Sequence, residues 1–185
     1  MRLFIALPLT KEIEEALGKI IFVLKQKSGR VKWVAPKNIH LTVKFLGEVN
    51  ENKIDSIKSS IQTIALKYQR VDCTIDAIGG FPNLSRPRVI WAGLTGQVQV
   101  LGNIVHDVEE ETFKLGFQKE EKRFTPHLTL GRIKENYGLD DLVSYIKTYQ
   151  MESLNCPIST LSLFKSTLTP AGPIYDRLLE AELGK

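Results

Sequence analysis

The sequence predicts an α+β protein of two lobes, each a largely antiparallel sheet with helices on its outer face. Three observations lead there. His40-Leu41-Thr42-Val43 and His127-Leu128-Thr129-Leu130 repeat one pattern 87 positions apart, each in an apolar run of strand character. The same offset carries Phe4-Ile5-Ala6-Leu7 onto Trp91-Ala92-Gly93-Leu94, a second pair of short apolar strands. Helical spacing separates the paired strands in both halves, so each half reads strand, helix, His-x-Thr strand. A single bilobal domain over 1–185 is expected, with an internal repeat of approximately 2–70 and 87–150 and a cleft between the lobes.

The elements follow in order. After the first strand, Ile13, Leu17, Ile20, Ile21 and Leu24 recur at helical spacing, with Thr10 placed as N-cap. The first His-x-Thr strand feeds a helix striped by Ile54, Ile57, Ile61 and Ile64 after Asn50. Val71 to Ile78 reads as a strand, and Gly79-Gly80-Phe81-Pro82-Asn83 as the turn that ends it. In the second half, Val98, Leu101, Val105, Val108, Thr112 and Leu115 form a helical stripe stopped at Gly116. The second His-x-Thr strand precedes a shorter stripe, Leu139, Leu142, Val143 and Ile146, after Gly138. Strand-like stretches near Leu154 to Thr167 and Ile174 to Leu179 flank a Pro170-Ala171-Gly172-Pro173 turn.

Composition excludes several classes. At 43% hydrophobic and 25% charged, the 185 residues suit a soluble globular chain with one substantial core or two small lobes. A formal charge of +4 favours a polyanionic partner only weakly. Cys73 and Cys156 lack metal or redox spacing, which favours a reducing cytoplasm. The apolar stretch of Met1-Arg2-Leu3-Phe4-Ile5-Ala6-Leu7-Pro8 is too short for a secretory signal and runs into charged helical sequence at Lys11. No apolar run approaches the ~20 residues of a membrane span, so a cytosolic protein is expected.

Side chains alternate faces along a strand, so His40 and Thr42 point one way while Leu41 and Val43 point the other. The second copy puts His127 and Thr129 together in the same manner. Free histidine titrates near ~6.5, so a neutral and a protonated ring can coexist near neutral pH. One can remove a proton while the other delivers one, each contributing typically ~10²–10⁴-fold. A strained cyclic phosphate fits this pair: one histidine activates water and the other protonates the departing ribose oxygen. The threonine hydroxyls can donate to non-bridging phosphate oxygens. No P-loop, GxGxxG or GxSxG competes. Satisfied strand histidines are the bland alternative, which the matched pair weighs against. A zinc site would want a carboxylate or cysteine at ligand spacing, and none is present. His106 falls just off its helical stripe and reads as a surface residue.

These residues resemble the 2H phosphoesterases, named for two His-x-[Thr/Ser] motifs, and among them the bacterial and archaeal RNA 2′,3′-cyclic phosphodiesterases, also called 2′-5′ RNA ligases. The likeness includes Arg2-Leu3-Phe4-Ile5-Ala6, Trp33-Val34, Asn38-Ile39-His40-Leu41-Thr42 and Phe45-Leu46-Gly47. It continues through Phe81-Pro82, Arg88-Val89-Ile90-Trp91, Phe124 to Arg132, Leu163-Phe164-Lys165-Ser166 and the Pro170-to-Tyr175 turn. The resemblance implies a bilobal, pseudo-two-fold fold and metal-free, cofactor-free opening of an RNA 2′,3′-cyclic phosphate to a 2′-phosphomonoester. It implies His40 as proton donor, His127 as proton acceptor, and Thr42 and Thr129 as phosphate holders. A 5′-hydroxyl in place of water would give 2′-5′ ligation, with hydrolysis dominant because water stands at ~55 M.

The resemblance also implies that Arg132 contacts phosphate, although strict alternation puts it opposite His127 unless Gly131 permits a bulge. Lys44 shares the predicted face of His40, whereas Phe45 alternates toward the core, where packing competes with its reading as a substrate-binding candidate. Trp33 and Tyr175 are candidates for stacking on bases, and Lys165 for facing the phosphates. The expected partner is RNA with a 2′,3′-cyclic phosphate end, tRNA fragments included, bound by a monomer that needs neither metal nor membrane. Two alternatives stand beside this: a phosphodiesterase of small cyclic nucleotides or 2′-5′ oligonucleotides, and an RNA-end binding module without turnover.

Overall fold

The computed structural model describes residues 1–28 and 30–184. The first half runs β1 (Arg2–Pro8), α1 (Lys11–Lys25), β2 (Val31–Trp33), β3 (His40–Glu48) and α2 (Ile54–Ala65). Next come β4 (Val71–Phe81), β5 (Val89–Gly96), α3 (Val98–Lys114), β6 (His127–Ile133) and α4 (Asp140–Thr148). The chain closes with β7 (Leu154–Ile158), β8 (Thr160–Thr169) and β9 (Gly172–Glu182). β1 and β5, α1 and α3, and β3 and β6 begin 87 residues apart, at Arg2 and Val89, Lys11 and Val98, His40 and His127.

The strands form two sheets, ordered β3-β1-β8-β9 and β2-β6-β5-β4-β7, and every pairing is antiparallel. The lobes are not the sequence halves. β2 from the first half and β4 from between the halves join the five-stranded sheet, while β8 and β9 complete the four-stranded one. In both sheets the His-x-Thr strand pairs with the opening strand of its own half, β3 with β1 and β6 with β5. β3 and β6 also approach each other directly across the cleft.

The helical stripes explain why the sheets stay together. Ile13, Leu17, Ile21 and Leu24 of α1 are buried, as are Ile57, Ile61 and Ile64 of α2. α3 buries Leu101, Ile104, Val105 and Val108, and α4 buries Leu142 and Ile146. All join one continuous core with the inward residues of both sheets. Each fully buried Leu or Ile is worth about 1.5–3 kcal/mol relative to exposure. No helix among the described residues is long and apolar enough to cross a membrane.

Several boundaries differ from the sequence pattern. Gly79 and Gly80 lie inside β4 rather than in a turn, because Gly79 opposes Trp91 and a Cβ there would strike the indole. Thr10 precedes α1, but its side chain makes no capping bond to the helix backbone. The long stretch from Leu154 splits at Ser159 into β7 and β8, which belong to different sheets. β2, only three residues long, carries too little periodicity to be read in advance.

Candidate active site

β3 and β6 each bring a histidine and a threonine to the cleft while Leu41 and Leu128 fill the core behind them. The ring Nδ1 of His40 lies 2.8 Å from the Asn38 carbonyl, and that of His127 lies 2.7 Å from the Thr125 carbonyl. A carbonyl oxygen only accepts, so in each ring Nδ1 carries the hydrogen and donates it. Nε2 of each neutral ring is then left with its lone pair for other partners. The same tautomer is fixed twice, by the carbonyl two residues earlier.

The surroundings of the two rings differ. His40 stacks on Phe4 at 4.9 Å between centroids and meets the edge of Tyr175 at 5.4 Å, with Phe164 at 6.3 Å. Burial among these rings pushes its pKa down to about 4, against a smaller upward pull from the Asn38 carbonyl. His127 meets the edge of Phe81 at 4.9 Å. Burial also raises the Tyr175 hydroxyl, opposed by the nearby Arg132 and Arg2 charges, so the phenol stays neutral.

Two hollows adjoin the histidines. One, of about 460 Å³, is lined by His40, Thr42, Thr129, Arg132, Trp33 and Tyr175 among others. The other, of about 570 Å³, is lined by His127 together with Phe81, Phe124, Lys122 and Arg123 among others. Thr42 and Phe45 line both.

Strand irregularities decide which side chains reach these hollows. On β6, Ile90 opposes Gly131 and Trp91 opposes Thr129, so Leu130 is an extra residue. That bulge reverses the alternation: Leu130 stays in the core and Arg132 emerges on the face of His127 and Thr129. Gly131 permits it, because a Cβ there would lie 2.6 Å from Val31 Cγ1 and 2.8 Å from Trp33 Cε3 on the adjoining β2.

β3 is irregular in a corresponding place, and here simple alternation fails. Ile5 opposes Lys44 and Ala6 opposes Thr42, which leaves Val43 as the extra residue. Lys44 is therefore not on the rim; its side chain is 4% exposed and its ammonium meets Glu109 at 2.5 Å and the Gln118 carbonyl at 2.8 Å. Phe45, expected toward the core, is 66% exposed and lines the cleft instead. Phe45 and Arg132 thus occupy corresponding positions after corresponding bulges.

The remaining candidates divide. Tyr175 and Trp33 line the hollow of His40. Lys165 lines neither hollow: Phe164 takes the cleft face of β8 and Lys165 follows on the opposite one, shared with the core residue Leu163. His106 is exposed on α3, as its spacing predicts. Sequence reasoning passed over Lys122, Arg123 and Phe124, which stand in an irregular segment with no periodicity to place them. It also passed over the Asn38 and Thr125 carbonyls, although their fixed offset from each histidine was available.

Comparison with known proteins places this arrangement. The profile described as LigT-like phosphoesterase matches residues 7–91 and 94–175, which contain both His-x-Thr segments. A Methanocaldococcus jannaschii protein named RNA 2′,3′-cyclic phosphodiesterase is 37% identical over 97% of this chain and 99% of its own length. An Archaeoglobus fulgidus protein of the same name is 36% identical over 96% and 98%. Among solved structures, a Thermus thermophilus protein superposes with a TM-score of 0.81 at 25% identity, covering 100% of both chains. E. coli LigT complexed with 3′-AMP shares the fold with a TM-score of 0.76 at 24% identity, over 100% and 98%. With a profile match along most of its length and relatives more than a third identical over nearly all of it, the chain belongs to the LigT-like 2H phosphoesterases.

Proposed function

We propose that this protein opens RNA 2′,3′-cyclic phosphate ends to 2′-phosphomonoesters, using His40 as proton donor and His127 as proton acceptor. The observation that carries this is the pair of imidazoles on facing strands, each held by its i−2 carbonyl with Nε2 left for substrate. Relatives named RNA 2′,3′-cyclic phosphodiesterase support the choice of substrate.

The chemistry follows from the two sides of the cleft. Water enters beside His127, which takes its proton as the oxygen attacks phosphorus. The bond to O3′ breaks, and His40 gives O3′ a proton. Thr42 and Thr129 donate to the non-bridging oxygens, and Arg132 supplies the countercharge. Trp33 and Tyr175 flank the space left for the terminal nucleoside.

Before substrate binds, His40, held near 4, is neutral at neutral pH. The phosphate anion favours the imidazolium, so His40 gains its proton as substrate binds. A proton donor and a proton acceptor suffice for a strained phosphodiester, so the reaction runs without a metal, on a single chain.

The test is a short RNA ending in a 2′,3′-cyclic phosphate, incubated in EDTA with wild type, His40→Ala and His127→Ala. Wild type should yield the 2′-phosphate and both variants should lose turnover. Intact substrate with wild type, or a 3′-phosphate product, would sink the assignment.

A further inference from the structure

Alternate side chains of β1 enter two different environments. Leu3, Ile5 and Leu7 join the main core, whereas Phe4 and Ala6 pack with Phe164 on the cleft face. Ala6 opposes Thr42, and Phe4 stacks on the His40 ring at 4.9 Å between centroids. The next residue on that face is Arg2, two positions from Phe4 and so about 7 Å further along the strand. A row of side chains therefore leads from the reacting centre to a guanidinium at the start of β1.

That guanidinium borders a third hollow, of about 480 Å³, lined by Arg2, Phe4, Phe45, Arg132, Leu168 and Tyr175 among others. Phe45, Arg132 and Tyr175 also line the hollow of His40, so the two spaces adjoin. Positive charge is in excess here. Neither Arg2 nor Arg132 has an ion-pair partner among the described residues. The one carboxylate in the lining, Glu48, meets the Met1 ammonium at 3.2 Å. Both guanidiniums oppose the rise that burial gives the Tyr175 hydroxyl, which sets the two charges near that ring. Apolar surface also stands open, with Phe45 66% and Leu168 65% exposed. Unpaired cations beside open apolar side chains suit the phosphates and bases of single-stranded nucleic acid.

In the function proposed above, the terminal nucleoside lies between Trp33 and Tyr175, and its O5′ carries the rest of the strand. We propose that the third hollow holds the nucleotide preceding the cyclic phosphate, with Arg2 on the phosphate that joins the two and Phe45 and Leu168 against its base. The inference rests on that function and names the length of RNA end that the site reads. Arg132 serves the reacting phosphate and Arg2 the next one along the chain. A substrate with one internucleotide phosphate gains a contact that a nucleoside 2′,3′-cyclic phosphate lacks. Arg2 only binds and positions; His40 and His127 move the protons. Discrimination between an RNA end and a cyclic mononucleotide is thereby placed on β1.

The experiment measures kcat and KM for a dinucleotide ending in a 2′,3′-cyclic phosphate and for the corresponding nucleoside 2′,3′-cyclic phosphate. Wild type is compared with Arg2→Gln, Arg2→Lys and Leu168→Glu. Wild type should favour the dinucleotide in kcat/KM. Arg2→Gln should raise the dinucleotide KM about 10-fold at low salt, the loss of one charge-assisted bond, and leave the nucleoside substrate unaffected. The log–log slope of the dinucleotide KM against salt should fall by about 0.7, the share of one single-strand phosphate. Arg2→Lys should recover most of the KM. Leu168→Glu, an exposed change that brings a like charge to the phosphate, should raise it. Equal kcat/KM for the two substrates in wild type overturns the proposal, as does an unchanged dinucleotide KM in Arg2→Gln. A rise for both substrates together would make Arg2 a support of the reacting centre and overturn it too. So would a dinucleotide KM that responds to Lys32→Ala/Lys37→Ala but not to Arg2→Gln, because the strand would then leave past β2. A wild type that opens neither substrate ends the proposed function, and this inference falls with it.

Discussion

His40 lies against Phe4, Phe164 and Tyr175, and these rings set its titration as well as its position. The depressed pKa fixes the sign of two effects. In the folded protein the ring titrates near 4, against an ordinary 6.5. Between those values the unfolded chain binds the proton and the folded chain does not, so stability is full above pH 6.5 and is lost as pH falls toward 4. The loss is on the order of 3 kcal/mol. Urea midpoints measured across this window should fall more steeply for wild type than for His40→Gln, and parallel slopes would remove His40 as the cause. The second effect concerns substrate. NMR titration of the ring should move upward by about one unit or more when inorganic phosphate occupies the cleft. An unmoved titration would leave His40 without a proton to give at neutral pH.

Elements aim these residues through their irregularities. Period-two alternation places the His-x-Thr faces correctly, because no bulge intervenes between His40 and Thr42 or between His127 and Thr129. Beyond Thr42 and Thr129 it fails in the same sense on both strands. Gly131 was a visible sign on β6, since a glycine in a strand marks a bulge or a close backbone approach. Val43-Lys44 carries no such sign, which is why Lys44 and Phe45 exchange faces against expectation. The role of Gly131 can be measured. Gly131→Val drives side-chain atoms into Val31 and Trp33, forcing β2 away from β6 and disturbing Arg132 on the same strand. A stability loss of about 1–3 kcal/mol should accompany a raised KM for the cyclic phosphate. An unaltered KM in a destabilised protein would separate Arg132 from substrate binding.

At the scale of the molecule, the buried Lys44–Glu109 pair ties β3 of the four-stranded sheet to α3. Its carboxylate also accepts from the Glu120 amide, on the segment leading to β6 and His127. Removing one partner strands a buried charge, so Lys44→Met alone should cost about 3–5 kcal/mol. Lys44→Met/Glu109→Leu should recover most of it, as read from denaturation midpoints; a double variant as unstable as the single would assign the loss to packing. The same scale separates what each level of description contains. The sequence by itself determined the α+β class, the helical stripes, the two histidine–threonine faces and the family, because each is written in local periodicity or in a short motif. Only the tertiary structure decided that β2 crosses into the other sheet and β4 joins it there, that Phe45 and Arg132 turn into the cleft while Lys44 is buried against Glu109, and that each histidine borders its own hollow. Those outcomes depend on which strands pair and where one strand gains a residue over its neighbour, and pairing partners lie too far apart in the chain for local pattern to specify them.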